Sequence, residues 1–160
     1  YRHNFFMGHA VRFSGWQNDR MLRLFQRDSG RYEGDTDHAD VVITTGRVGK
    51  LSNRMLHYTY WSYDQYFGKM RRYEQFQADR WYQRGKKVST LSMLFRIPLR
   101  FIQNYIFRLG FLDGRAGLQV CYLTAFYSFM KQARLWELQH AHRQPDPEAD
   151  HRDQQQAEAA

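Results

Sequence analysis

Cysteine is almost missing from this 160-residue chain: Cys121 stands alone, which excludes an intrachain disulfide and leaves no thiolate cluster for a structural zinc. Long hydrophobic runs are missing too. The longest uncharged window, Ala116 to Met130, falls short of the roughly 18 residues that a spanning helix needs. Nor is there a Gly-x-Ser-x-Gly, a Gly-x-Gly-x-x-Gly or a Walker loop, so neither an exposed serine nucleophile nor a phosphate cradle is visible. Acidic residues are few, 16 against 24 Lys and Arg, for a net charge of +8. The deficit is uneven: Gln139 to Ala160 holds two Arg and five acids, so residues 1–138 carry 22 bases against 11 acids. A folded part this basic points to an anionic partner. What the chain has in quantity is aromatic residues, 17%, within 42% hydrophobics, enough to bury a core and to exclude a wholly disordered protein. It opens at Tyr1 with neither an initiator Met nor a signal segment, and the expectation is that it belongs to something longer.

Three patterns follow one another along the sequence. Between residues 20 and 60 the runs are short, rich in Val, Ile, Leu and Tyr, and broken by glycine. Met21–Phe25, Val41–Thr45 and Met55–Tyr58 read as strands, with turns near Ser29-Gly30 and Gly46 to Gly49. From Ser62 the period becomes helical, because Tyr63, Tyr66, Phe67, Met70, Tyr73 and Phe76 fall three or four apart. Ser62 with Gln65 makes a capping box and Gly85 a stop, giving one helix over about 62–84. A second runs from about Thr90 to Leu109, interrupted or restarted at Pro98 and ended by Gly110, and a third, capped by Asp113, continues to roughly Leu138. The tail from Gln144-Pro145-Asp146-Pro147 through Gln154-Gln155-Gln156 offers nothing apolar to bury, so residues 143–160 are expected to be disordered. The expected class is α+β: strands and loops over 1–60, then a helical region over 61–142.

Seven histidines invite a search for a metal, yet His3 and His9 are six apart and His140, His142 and His151 lie in or near the tail. None has a spacing such as His-Glu-x-x-His, so metal ligands are unknown. His57, within an apolar run, reads first as a hydrogen-bonded core imidazole. Asp19, Asp35, Asp37 and Asp40 fall at the ends of expected strands, where loops present side chains to a cleft. Asp19 follows Trp16 and precedes Arg20 and Arg23; a nearby cation keeps such a carboxylate ionised and ready to accept a proton, and the alternative is a turn aspartate in a surface ion pair. Arg96, Arg100 and Arg108 repeat at four and eight residues, on one face of a helix, among more apolar neighbours than one buried stripe requires. Such a helix either lies in a membrane interface with its arginines at anionic headgroups, or is a core helix with a solvated basic edge. No nucleic-acid-binding motif accompanies the charge, and nucleic acid is not an expected partner.

The stretch Gly15-Trp16-Gln17-Asn18-Asp19-Arg20-Met21-Leu22-Arg23-Leu24-Phe25 resembles one found in bacterial family 2 glycosyltransferases similar to the lipopolysaccharide core transferases. The likeness continues in order through Arg31-Tyr32-Glu33-Gly34, Gly46-Arg47-Val48-Gly49-Lys50-Leu51 and Leu56-His57-Tyr58-Thr59-Tyr60. It then runs through Tyr66-Phe67-Gly68-Lys69, Arg72-Tyr73, Gly85-Lys86, Gly110-Phe111-Leu112-Asp113-Gly114-Arg115-Ala116-Gly117-Leu118 and Phe129-Met130-Lys131, covering about residues 2–138. Relatives usually show Val-His-Glu after the Tyr-x-Gly turn; here Asp37-His38-Ala39 keeps the histidine and lacks the acid.

The resemblance implies the C-terminal portion of a GT-A enzyme whose other half carries the nucleotide site and an Asp-x-Asp motif holding a divalent metal, Mg or Mn. It implies a nucleotide-sugar donor, a glycan or lipid-linked acceptor, and a peripheral place on the cytoplasmic face of the bacterial inner membrane. An inverting transfer needs a carboxylate to take the proton from the acceptor hydroxyl opposite a leaving diphosphate. Asp19 is the first choice for that base and His38 for a supporting or metal role, with Asp37 or Asp40 as substitutes. Trp16 is expected to stack on a sugar face, Arg20 and Arg23 to meet acceptor phosphates or the leaving group, and Asp37 and His57 to contact substrate. The rival is a basic membrane-surface or interaction module without catalysis.

Overall fold

The structure is a computed structural model, and it describes residues 1–17, 19–22, 24–33, 40–44 and 46–140. Its class is α+β, with short strands giving way to helices after Tyr60. The described chain divides into two compact units, one of residues 1–66 and 102–121, the other of 67–101 and 122–140.

The first unit is built on a three-stranded sheet. Strand β1 (Arg2–Phe6) lies between β2 (His9–Val11), antiparallel, and a strand Met55–Tyr60, parallel. Met7 and Gly8, at φ 47° and 80°, turn β1 into β2 through two residues, the geometry whose twist suits a tight hairpin. Phe6 and Val11 bury their side chains almost completely, while Asn4 puts a polar group at the same depth. A separate ribbon pairs β3 (Gly30–Glu33) with β4 (Asp40–Ile43), Gly30 opposite Ile43, and Met55–Tyr60 is therefore β5. No strand forms among the described residues of Met21–Phe25. Both edges of β1 are already taken by β2 and β5, and Leu24 is 78% exposed.

The segment after β2 is fixed from a distance. Both Asp113 carboxylate oxygens accept backbone N–H groups, Arg12 on one and Phe13 on the other, each at 2.9 Å, and Ser14 Oγ donates to the second at 2.8 Å. The carboxylate that was expected to cap the third helix is thus spent on this loop. Gly15, at φ 87°, follows; a Cβ there would stand 2.9 Å from Arg108 Nη1. Gly117 is under a stronger constraint, since its Cβ would lie 2.0 Å from the Gly110 carbonyl oxygen.

Helix α1 (Tyr63–Gln83) starts as its sequence requires, with the Gln65 N–H donating to Ser62 Oγ at 3.2 Å, while Gln65 Oε1 accepts the Trp61 N–H at 2.8 Å. It stops at Gly85, at φ 65°, where Lys86 N–H reaches the Trp81 carbonyl and Gly85 N–H that of Tyr82, a Schellman closure. Helix α2 (Thr90–Ile102) is capped by Ser89, whose Oγ accepts the Ser92 N–H at 3.2 Å. Pro98 neither interrupts nor restarts it: the carbonyl that the missing N–H leaves free belongs to Leu94, which is exposed to water. The break comes later, in a π-turn over Gln103–Phe107 closed by Arg108 N–H on the Gln103 carbonyl, followed by left-handed Leu109. Helix α3 (Gly114–His140) ends the described chain. Within the second unit Ala78, Ala125 and Leu135 are buried, and the buried Glu74 meets Arg134 Nε at 3.3 Å.

Candidate functional site

Alternation along β1 sends Arg2 and Asn4 to one face, and β5 brings His57 beside them, opposite Asn4 in the register. The turn after Trp16 returns Asp19 to the same place, its carbonyl accepting the Arg2 N–H at 2.9 Å. Asp19 Oδ2 lies 3.5 Å from Arg2 Nε and accepts from Asn4 Nδ2 at 3.3 Å. His57 completes the cluster: Nδ1 is 2.8 Å from Asn4 Oδ1, and Nε2 is 3.4 Å from Arg2 Nη1. Because Asn4 donates through its nitrogen to Asp19, its oxygen faces His57. The imidazole then carries its proton on Nδ1 and presents Nε2 as an acceptor to Arg2. Two bridging side chains therefore tie Asp19 to His57, and Asp19 Oδ1 has no hydrogen-bond partner among the described residues. The Asp19 side chain is 31% exposed, so that oxygen can be approached from solvent.

Cationic surface surrounds the cluster. Arg2, Arg12, Lys50 and Arg54 line a cavity of about 670 Å³ together with Trp16 and Gln17, and none of its lining residues is acidic. Asp19 itself does not line it. Trp16 is held edge-on against Phe6 and tilted against Tyr60, each 6.5 Å between ring centres, so its indole has a fixed orientation at the cavity wall. Gln17 Nε2 donates to the Arg108 carbonyl at 2.7 Å and fixes the base of that wall. Arg20, exposed, sits over the Tyr1 ring at 5.1 Å with Lys50 at 4.8 Å; it lines a second hollow of about 650 Å³, which shares Tyr1, Arg2 and Lys50 with the first. Lys50, by its hydrogen bond and then with Arg20 by charge, holds the Tyr1 phenol below its ordinary range. His3, another lining residue of the first cavity, buries its Nε2 without a hydrogen-bond partner among the described residues. Burial pushes the Cys121 thiol up against the opposing Ser14 hydrogen bond, so it is a packing group and no nucleophile.

Of the residues singled out from sequence, Asp19 and His57 are brought together and Trp16 and Arg20 stand beside them. Arg23, Asp37 and His38 lie outside the described residues. Arg2, Asn4, Arg12, Lys50 and Arg54 were missed. Arg2 and Asn4 carried a signal in their two-residue spacing ahead of a Met-Gly turn, whereas Arg12, Lys50 and Arg54 enter through loops that have no period. Of the three arginines, Arg96 and Arg100 lie on α2, which ends at Ile102, and Arg108 follows the π-turn over Gln103–Phe107 in the first unit. Arg96 and Arg100 are half-buried, and the exposed side of α2 belongs to Leu91, Leu94, Phe95, Leu99 and Ile102. Among the described residues no three His, Cys, Asp or Glu side chains converge, so these residues do not make a divalent-metal site.

No family model matches the chain, and no solved structure is significantly similar to it. Over 138 residues, 85% of its length, it is 25% identical to the lipopolysaccharide core biosynthesis glycosyltransferase LpsC of Rhizobium meliloti (strain 1021). The match takes in 51% of that protein, so the chain spans about half the length of the curated relative it matches. This similarity supports a glycosyltransferase-like relationship.

Proposed function

We propose that the chain forms the acceptor-side and C-terminal part of a family 2, GT-A glycosyltransferase that moves a sugar from a nucleotide-sugar donor to a lipid-linked or cell-envelope glycan. The observation that carries this reading is the similarity to LpsC over most of the chain. The Arg2–Asn4–Asp19–His57 cluster supports it, because inverting transfer needs one carboxylate oxygen free for the acceptor hydroxyl while the other is fixed. Asp19 Oδ1 accepts the proton as the sugar carbon is attacked, and Arg2 keeps the carboxylate oriented beforehand. Trp16 offers an apolar face to a pyranose ring at the cavity wall. The nucleotide site and the Mg or Mn that would steady the leaving diphosphate belong to sequence outside this chain.

The same protein works, in this reading, as a peripheral protein at the cytoplasmic face of the inner membrane. No helix among the described residues is long and apolar enough to cross a bilayer, and the exposed apolar stripe of α2 suits an interfacial helix. That stripe also suits the rival, a membrane-surface module without catalysis. The test is transfer by the full-length protein that contains this chain, offered a panel of nucleotide sugars and lipid-linked glycan acceptors. Acceptor-dependent release of nucleoside diphosphate is the expected result, with none from the 160-residue chain alone. Full-length protein that hydrolyses or transfers nothing, yet still binds vesicles, would establish the rival.

A further inference from the structure

The second unit contains a hollow that transfer chemistry leaves unused. Its volume is about 290 Å³, and it lies where α1 ends and α2 begins, lined by Trp81, Lys86, Lys87, Ser89, Ser92 and Arg96, with Gln132 closing it from α3. Three of those residues are cations and none is an acid. Lys86 Nζ stands 3.7 Å from the centre of the Trp81 ring, and Lys131 Nζ approaches the same ring at 5.8 Å. The Gln132 amide is satisfied at both ends when its oxygen accepts from Arg96 Nε and Nη2, at 3.2 and 2.7 Å, and its nitrogen donates to the Ser92 carbonyl. Arg96 is thereby aimed at the wall without being neutralised. Burial first, then Arg100, Arg96 and Lys86, hold the Lys131 ammonium below its ordinary range, so cations crowd here. An anion would relieve them.

The neighbouring surface says which anion. On α2, Leu91, Leu94, Phe95 and Leu99 share one face and are between 47% and 66% exposed. Ser89, Ser92 and Arg96 occupy the flank directly beside that stripe. Arg80, Arg84, Lys86 and Lys87, all exposed, gather before the helix starts. An apolar stripe with cations gathered at one end matches an acyl boundary below a layer of phosphates.

We propose that this hollow binds the phosphate of an anionic phospholipid headgroup while the α2 stripe enters the acyl boundary. Lys86 and Lys87 meet the phosphate directly, and Arg96 and the Ser89 hydroxyl define the floor. The inference rests on the peripheral-membrane part of the proposed function and is independent of whether Asp19 is a base. Phosphate free in solution shares the chemistry, so the experiment separates the two sources.

The 160-residue chain is sedimented with vesicles of phosphatidylcholine alone and of phosphatidylcholine mixed with phosphatidylglycerol. Both should carry the protein down, the anionic ones more strongly. Lys86→Gln with Lys87→Gln should remove about 30-fold of that preference, about fivefold for each cation near the surface. Binding to neutral vesicles should not change, and the variant should still melt cooperatively. Arg71→Gln with Arg72→Gln, equally exposed on α1, is the control and should cost little. An NMR titration of the Lys131 ammonium should move upward with anionic vesicles and stay put with inorganic phosphate. Equal loss in the two double variants would mean diffuse attraction and no site. A Lys131 response to inorganic phosphate matching that to vesicles would make the ligand a soluble phosphate. Failure to bind neutral vesicles, while the anionic preference and the Lys131 response persist, would remove the stripe and with it the membrane reading. Any of these overturns the proposal.

Discussion

Arg2 in the first unit and Lys131 in the second are both half-buried cations, and their surroundings are opposite. Arg2 leans on Asp19 and reaches His57, so its charge is met by a carboxylate that Asn4 also holds. Lys131 lies against the Tyr127 ring at 4.4 Å and is crowded by Arg96, Arg100 and Lys86. Glu74 and Glu137 of that unit both engage Arg134 and hold its guanidinium above its ordinary range, Glu137 most. A compensated cation is a positioning device, because its geometry is fixed from within. A crowd of cations attracts an external anion. On the readings proposed above, the two units would serve two different partners, a reacting saccharide and a phosphate-bearing surface.

The largest expected effect tests the first half of that contrast. In the intact enzyme, Asp19→Asn should lower the steady-state rate by about 10² to 10⁴-fold, the usual worth of a general base, with donor binding little changed. A near-normal rate would leave the Arg2–Asp19 contact as an ion pair only, and move the proton transfer to Asp37 or Asp40.

What the sequence disclosed about each unit differs in the same way. The helices were legible because their ends are local: Ser62 and Gln65, Gly85, and the step in period after Tyr60 each act within one turn of chain. In the first unit the decisive contacts bridge distant positions, as when Asp113 holds the amides of Arg12 and Phe13. No local pattern announces such a contact, and the local signal that did exist, an aspartate just ahead of a helix, pointed to a cap. Met21–Phe25 looks like a strand because its composition suits one, but its described residues pair with no strand, and Leu24 stays in solvent. Asp19 was found because it sits between an indole and two arginines in sequence. Its true partner, Arg2, had to be supplied by the sheet.

Two glycines sharpen the comparison at the level of packing. Gly117→Ala in the first unit forces a Cβ to within 2.0 Å of the Gly110 carbonyl, a backbone atom that cannot swing aside, so chemical denaturation should show a loss of about 3 kcal/mol or more. Gly68→Ala on α1 meets nothing within 4 Å, and alanine is the better helix former, so the same measurement should show a gain of about 0.5 to 1 kcal/mol. A mild result at Gly117 would mean that the turn at Gly110 can yield, and that the first unit is held less rigidly than its contacts require.

The smallest effect concerns the second half of the contrast, through the pH dependence of Lys131. Burial and then Arg100, Arg96 and Lys86 lower its folded-state pKa beneath the ordinary 10.5. Below the folded-state value the ammonium is protonated in both states, and the full cost of crowding it is present. As pH climbs from there toward 10.5, the folded protein has released a proton that the unfolded chain still holds, so the folded state gains on the unfolded one. Lys131→Met keeps an unbranched side chain, one atom shorter, and has no proton to release. The stability of the wild type relative to this variant should therefore rise with alkaline pH, by a modest amount because the ammonium is only partly shielded from water. Other lysines and tyrosines titrate in the same range, but they are common to both proteins and leave the difference. Thermal melts of the pair at stepped alkaline pH, at low salt, measure it. A flat difference would mean that the aromatic faces of Tyr127 and Trp81 compensate the cation as fully as Asp19 compensates Arg2, and the two units would then no longer be opposites.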